Sequence, residues 1–368
     1  MPSTTPATNS ISVLVKPASS ACNLRCRYCF YADVAASREV ATHAIMSAAT
    51  AELLASRLAE AVNGAGDVHI SFQGGEPTVA GLDWFRAFSA AMDAYPEVVP
   101  HWSLQTNGTL LNEEWCFFFA ERGFLVGVSL DGPRSLTDFM RPLANWSGSF
   151  DRTMNGILHL QAEQVEFNIL SVVTRQQARF PEALMEFYLQ NGLDNVQLIP
   201  CLPPLDGTDD GFSLQPDSFR SFYLGFFRSW QHAAEHGQLV QVNLFDNLLG
   251  MLLGYPPYQC GMLGRCSVQY VVEANGDVYP CDFYCLDEYR MGNLADAPLR
   301  ELGRGVKAEA FLAEQSCRRA PCTTCPYARI CNGGCRRQNV CYLTDDACAY
   351  RDVLAQIVPA LARMYGLG

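Results

Sequence analysis

The sequence contains no run approaching the ~18 uncharged apolar residues that a membrane-spanning helix needs, so a bilayer span is not expected. Residues 1–10 are polar and rich in Ser and Thr, without the basic start and apolar stretch of a secretory signal. A basic excess is missing too. The net charge is −12, whereas a general nucleic-acid binder needs a positive face to neutralise phosphates. No internal repeat at solenoid periods is present. These absences lead us to expect a soluble, cytoplasmic monomer without a nucleic-acid partner, its first ten residues disordered. Apolar residues make up 49% and charged residues 17%, which is enough for a substantial core and argues against general disorder. A chain of 368 residues is expected to form one large domain with an appendage, or two domains.

Against these absences, cysteine is abundant. Of 16 cysteines, three lie at 22–29 and eleven at 260–348, leaving Cys116 and Cys201 isolated. In a long chain without a signal, clustering of this kind points to metal or redox chemistry rather than disulfides.

From residue 11 to about 254, short apolar runs alternate with amphipathic stretches. Strands are predicted at 12–16, 67–72, 101–106, 124–129, 166–173 and 195–200, with helices at 46–63, 82–93, 112–122, 149–164, 180–191 and 216–236. One helix between successive strands implies a parallel sheet with right-handed crossovers. Six such units favour a partial (β/α)6 barrel over an open doubly wound sheet, although periodicity alone does not separate the two. Beyond 254, in a second region at 255–368, Gly, Pro and Cys become dense. Only 268–273, the turn Asn275-Gly276 and 278–280 read as a hairpin, and 350–364 as a closing helix.

Cys22-Asn-Leu-Arg-Cys26-Arg-Tyr-Cys29 follows the first strand, at the rim where barrel active sites sit. Three thiolates can hold three irons of a 4Fe–4S cluster and leave the fourth open to S-adenosylmethionine. A structural zinc would want a fourth ligand, and no Cys or His follows nearby before His43. Gln73-Gly74-Gly75-Glu76-Pro77 follows the second strand. It reads either as a loop gripping the methionine end of that cofactor, its amides free to bind, or as an ordinary turn. Gln105-Thr-Asn107-Gly and Ser129-Leu-Asp-Gly-Pro133 bring small polar residues to the same rim, although both are common turn formers.

Downstream, Cys260, Cys266, Cys281, Cys322, Cys325, Cys331, Cys335 and Cys348 supply eight thiolates. That is the count for two fully ligated 4Fe–4S clusters or for two zinc sites, and the redox site upstream inclines the reading to iron–sulfur. Cys285, Cys317 and Cys341 read as small buried hydrophobes or alternative ligands, Cys116 as core, and Cys201 as packing or pocket lining. Asp282, directly after Cys281, is either a base poised by its anionic neighbour or a turn former.

Several stretches together resemble the anaerobic sulfatase-maturating enzymes, radical enzymes with a C-terminal SPASM domain. They are Lys16-Pro-Ala-Ser-Ser20 running into Cys22–Tyr31, Phe72–Thr78 with Ala80-Gly81-Leu82, Ser103–Thr109, Phe124–Gly127 and Tyr279-Pro-Cys-Asp-Phe-Tyr284. The resemblance spans residues 11 to 352. It implies a partial (β/α)6 barrel, S-adenosylmethionine and three 4Fe–4S clusters. It also implies oxidation of a Cys or Ser in a sulfatase Cys/Ser-x-Pro/Ala-x-Arg motif to Cα-formylglycine. Gln73, Gly74, Gly75, Glu76, Gln105, Asn107, Ser129 and Tyr28 would contact the cofactor, and Asp282 would be the base. Cys260, Cys266, Cys281 and Cys335 would hold the first auxiliary cluster, and Cys322, Cys325, Cys331 and Cys348 the second. The implied partners are an unfolded sulfatase polypeptide and an electron donor such as flavodoxin or ferredoxin. Two departures, Thr137 where relatives often carry His and Cys285 near the base, fall at possible substrate contacts. A maturase that crosslinks a ribosomally made peptide would share this architecture. A plain iron–sulfur electron carrier would need neither the open three-cysteine site nor the Gly-Gly-Glu-Pro loop.

Overall fold

In the computed structural model, which describes residues 9–314 and 319–367, the six apolar runs form strands. They are β1 (Ser10–Val15), β2 (Gly66–Phe72), β3 (Val98–Thr106), β4 (Leu125–Ser129), β5 (Phe167–Val173) and β6 (Asn195–Pro200). Helices Ala48–Ala61, Leu82–Asp93, Glu113–Arg122, Phe150–Ala162 and Pro181–Gln190 cross between them. Every neighbouring pair from β1 to β6 is parallel, so all the strands end at one rim and their following loops gather there.

Alternation along the strands sets the layers. In β2, Val68, Ile70 and Phe72 are fully buried and face the helices, where Phe72 meets Phe85 at 4.9 Å between ring centroids. The intervening Ser71 turns the other way and bonds Ser103 of β3 at 2.7 Å. Helix Glu113–Arg122 is bounded by Asn112, whose side chain accepts the Trp115 N–H, and by Gly123 in the left-handed region. Within it Cys116 is buried as expected, but Phe117 is 63% exposed, so this aromatic run is not core throughout.

After helix Pro216–Glu235 the chain adds the short strand β7 (Gln241–Val242), then helix Asn243–Leu252. The cysteine-rich region contributes β8 (Val271–Val272), β9 (Asp277–Tyr279) and β10 (Gly292–Asn293). All ten strands form one sheet in the order β10-β9-β8-β1-β2-β3-β4-β5-β6-β7. β8 runs parallel to β1, pairing Val271 with Leu14 and Val272 with Val15. The Lys16 N–H donates to the Val272 carbonyl at 2.8 Å. The hairpin foreseen at 268–280 is therefore not a detached appendage. It extends the barrel sheet past β1 and carries Glu273 and Asp282 to the strand that leads into the cysteine loop.

Other departures are local. Asn9 and Ser10, expected in a disordered start, are tied down: Ser10 opens β1 and the Asn9 carbonyl accepts the Asp67 N–H at 3.0 Å. Residues 1–8 lie outside the described residues. Helices Phe30–Ala36, Arg134–Met140 and Asn243–Leu252 were not foreseen. The closing helix, Ala349–Met364, packs on Pro216–Glu235. Among the described residues no helix is long and apolar enough to cross a membrane.

Candidate active site

The rim loops enclose a cavity of about 290 Å³, near the low end for ligand pockets. Cys22, Cys26 and Cys29 line it, with Tyr28, Gln73, Gly74, Gly75, Glu76, Gln105, Asn107, Ser129, Cys201 and Asp282. The geometry changes what several of these residues are seen to do.

The paired glycines serve packing. A Cβ on Gly75 would stand 2.2 Å from the Ala21 carbonyl oxygen, and one on Gly74, at φ 121°, would stand 2.7 Å from that of Ser19. The Gly75 N–H donates to Ser19 O at 2.9 Å and the Glu76 N–H to Ala21 O at 2.8 Å. Those two amides, expected to be free for a ligand, instead bind the loop to the segment that ends one residue before Cys22. Glu76 is also committed. Its buried carboxylate accepts from Thr78 N (3.1 Å), Thr78 Oγ1 (2.6 Å), Thr106 Oγ1 (2.7 Å) and Asn107 N (2.7 Å). Burial raises its pKa, and these donors work in the opposite direction. Asn107 Nδ2 in turn donates to Asn23 Oδ1 at 2.8 Å. Glu76 and Asn107 thus lock the ends of β2 and β3 to the cysteine loop, while Gln105 and Ser129 line the cavity from the ends of β3 and β4. The Tyr28 hydroxyl donates to Asp131 and accepts from Arg141 at 2.7 Å. Arg141, which the motifs did not single out, also lines the cavity.

Burial pushes the Cys22 thiol up to about 11 and the Cys26 thiol to about 12. Ionisation there therefore calls for added positive charge, as iron supplies. Backbone amides nonetheless point at the sulfurs as they do around metal thiolates: Leu24 N–H to Cys22 Sγ at 3.3 Å and Arg351 N–H to Cys348 Sγ at 3.4 Å. Similar bonds run from Phe283 to Cys281 and from Gly333 to Cys331. The eight downstream thiols fall into two neighbourhoods. Burial raises Cys260, and Cys335 and Cys266 raise it further; Cys281 is raised by burial and then in part by Cys335. Cys331 answers to burial and to Cys348, Cys325 and Cys322. The donor sets fit iron–sulfur clusters in number, type and second-sphere bonding. Cys285 and Cys341 are fully buried, and Cys317 lies outside the described residues.

Asp282 belongs to a buried network that the sequence did not reveal. Its Oδ2 accepts from the Tyr31 hydroxyl at 2.6 Å, and Tyr31 also lies 3.1 Å from Gln73 Oε1. Lys16 Nζ, on a side chain only 3% exposed, stands 3.0 Å from Asp282 Oδ1 as an ion pair. The direction is poor for hydrogen bonding, and Oδ1 has no hydrogen-bond donor among the described residues. Lys16 also lies 3.3 Å from Cys285 Sγ and 4.0 Å from Glu273, which Arg38 pairs at 2.8 Å. Burial alone would lower the Lys16 pKa. Asp282, Cys285 and Glu273 outweigh it, so the ammonium is held charged. Lys16 is one of only two lysines in the chain, and that rarity was the available hint. Cys285 is thus a partner of this lysine, beneath the cavity rather than in it. Thr137 is fully buried, bonds the Gly132 carbonyl at 2.9 Å and is not among the cavity-lining residues, so it is not placed for substrate contact.

Residues 17–187 match the radical SAM superfamily, and residues 260–326 match an iron–sulfur cluster-binding domain, SPASM. The chain is 39% identical over 333 residues to the cysteine-type anaerobic sulfatase-maturating enzyme of Clostridium novyi, covering 89% of this chain and 88% of that one. It is 30% identical over 364 residues to the serine-type enzyme of Klebsiella aerogenes, covering 96% and 88%. The solved structure of native anSMEcpe with bound AdoMet superposes with a TM-score of 0.89 at 35% identity, over 97% of this chain and 99% of that one. With this identity held over nearly the whole chain, the chain belongs to the anaerobic sulfatase-maturating enzymes, radical SAM oxidoreductases with a SPASM domain.

Proposed function

We propose that this chain oxidises a Cys or Ser of a sulfatase Cys/Ser-x-Pro/Ala-x-Arg motif to Cα-formylglycine. The substrate in this reading is an unfolded sulfatase polypeptide, and a flavodoxin or ferredoxin supplies the electron. The observation that carries the reading is the position of Asp282, in one cavity with Cys22, Cys26 and Cys29 and next to Cys281. A proton acceptor there would stand beside the cysteines that hold the radical source and beside a ligand of the electron acceptor. Loss of a β-hydrogen atom, a proton and one electron turns a thiol into a thioaldehyde, or a hydroxyl into an aldehyde. Water converts the thioaldehyde to the aldehyde with release of hydrogen sulfide.

In this reading Cys22, Cys26 and Cys29 hold the open cluster. Cys260, Cys266, Cys281 and Cys335 hold the first auxiliary cluster, and Cys322, Cys325, Cys331 and Cys348 the second, following the two thiol neighbourhoods. When bound, the open cluster with S-adenosylmethionine supplies the radical, and the auxiliary clusters receive the electron. The protein's own part is to hold the target side chain against Asp282, which lines the cavity beside Cys22, Cys26 and Cys29. Gln73, Gln105, Ser129, Tyr28 and the main chain of Gly74 and Gly75 form the cofactor wall, and Glu76 and Asn107 fix its shape.

Incubating reconstituted enzyme, cofactor and reductant with a Cys-x-Pro-x-Arg peptide and its Ser counterpart tests this directly. Mass spectrometry is expected to show sulfur and two hydrogens replaced by one oxygen in the first, and two hydrogens lost in the second. Identity is higher to the cysteine-type relatives, so the Cys peptide comes first. No change in either peptide would overturn the assignment, and a new crosslink would point to a peptide maturase. Anaerobic reconstitution is expected to give about twelve irons per chain; about four irons with stoichiometric zinc would remove the auxiliary clusters from the scheme.

A further inference from the structure

Arg336 directly follows Cys335, and its guanidinium is held on three sides. It lies 4.2 Å over the Tyr284 ring and 4.4 Å over that of Phe311. Its Nη1 donates to Glu314 Oε2 at 2.6 Å and to the Glu314 carbonyl at 2.9 Å, and the Tyr289 hydroxyl braces Glu314 at 2.9 Å. This fixes one arm of the fork. The other two nitrogens, Nε and Nη2, are buried and have no hydrogen-bond partner among the described residues. Buried guanidinium donors are rarely left unmet.

The place of the cage identifies the missing acceptor. Arg336 directly follows Cys335, and Tyr284, the ring under its guanidinium, comes three residues after Cys281, so the two unmet donors stand beside the first auxiliary set of thiols.

We infer that Nε and Nη2 of Arg336 donate to the sulfurs of the cluster held by Cys260, Cys266, Cys281 and Cys335, and that this cation sets the cluster's reduction potential above that of the second auxiliary cluster. Reduction adds one negative charge to a cluster already made anionic by four thiolates, and a fixed cation with two N–H donors favours that reduced form. The inference rests on the proposed oxidation, in which the substrate, after losing a hydrogen atom and a proton, gives up one electron. The cluster beside Asp282 then takes that electron, being reduced by one.

The test uses the full chain with Cys22, Cys26 and Cys29 changed to Ala, so that only the auxiliary clusters remain, about eight irons. Redox titrations followed by electron paramagnetic resonance compare this protein with versions carrying Arg336→Gln or Arg336→Lys. For Gln, one of the two clusters is expected to become about tenfold harder to reduce, ~59 mV for a one-electron couple, while the other does not move. Lys, which keeps the charge but not the fork, is expected to restore part of the shift. Equal movement of both clusters, or of neither, would overturn the inference. So would loss of about four irons from both variants, since that shows assembly rather than tuning. Because no substrate enters this measurement, failure of the formylglycine assay is read separately.

Discussion

Asp282→Asn is expected to lower formylglycine formation at least about a hundredfold while 5′-deoxyadenosine continues to form, since a positioned base contributes ~10²–10⁴-fold. The two activities separate because most of the cofactor wall is held by contacts other than those of Asp282; what the two share is Tyr31, 3.1 Å from Gln73 Oε1. Asp282 is fixed by Tyr31 at 2.6 Å and Lys16 at 3.0 Å, whereas Glu76 and Asn107 lock the wall through bonds that do not involve it. Asn keeps the shape and can still accept from Tyr31, but it has no proton affinity to offer the substrate thiol. The ratio of deoxyadenosine to formylglycine, measured over one time course, is therefore the discriminating quantity. A ratio near that of the parent enzyme would remove Asp282 as the base.

The same substitution touches stability, because it takes from Lys16 its nearest carboxylate. Glu273 is left, 4.0 Å away and already shared with Arg38. Breaking a buried ion pair on one side costs ~3–5 kcal/mol. Asp282 is at the cavity edge, 13% exposed, where water can enter, so the lower end is expected. A moderate loss of denaturation midpoint with unchanged iron content would fit this account, and the deoxyadenosine signal controls for it.

How much of this was readable beforehand depended on sequence distance. β1 to β6 were legible because each is a run of apolar residues bounded by turn formers, and the cysteine loop because its three thiols lie within eight residues. The helices Phe30–Ala36 and Arg134–Met140, seven residues each, make about two turns, short of the roughly 11–18 residues over which helical periodicity can be read. β7, β8 and β10 have two residues apiece and exist only through their partners. The pairing of β8 with β1 joins residues more than 250 apart, and no local pattern announces it. Lys16 shows the consequence. In sequence it is a charged residue ending a strand, which reads as exposed; it is buried only because β8 brings Glu273, Cys285 and Asp282 around it. The misreading at Gly75 concerned its amide alone: the paired glycines line the cavity, but the Gly75 N–H, expected to be free for a ligand, donates to Ser19 O.

That misreading yields the second large effect. Gly75→Ala is expected to abolish cofactor cleavage and to remove about four of the twelve irons, leaving about eight in the auxiliary clusters. The added Cβ would meet only main chain: Ala21 O at 2.2 Å, Ser20 C at 2.6 Å and Ala21 C at 2.7 Å. No rotamer can relieve such contacts, so either the loop retreats or residues 19–21 shift. Retreat breaks the bonds from Gly75 to Ser19 and from Glu76 to Ala21, each worth ~1 kcal/mol, on top of ~1–3 kcal/mol for overpacking. A shift displaces Cys22, the next residue. Three ligands on an eight-residue loop tolerate little of this, because the cluster has no fourth protein ligand to hold it. Gly250, inside helix Asn243–Leu252 with nothing within 4 Å of an added Cβ, is the matched control. Gly250→Ala is expected to keep all of the iron and to gain up to ~1 kcal/mol from helix propensity. If Gly75→Ala retained about twelve irons and cleaved cofactor at the parent rate, the loop contact would be pliable, and the paired glycines would have to be explained by the ligand after all.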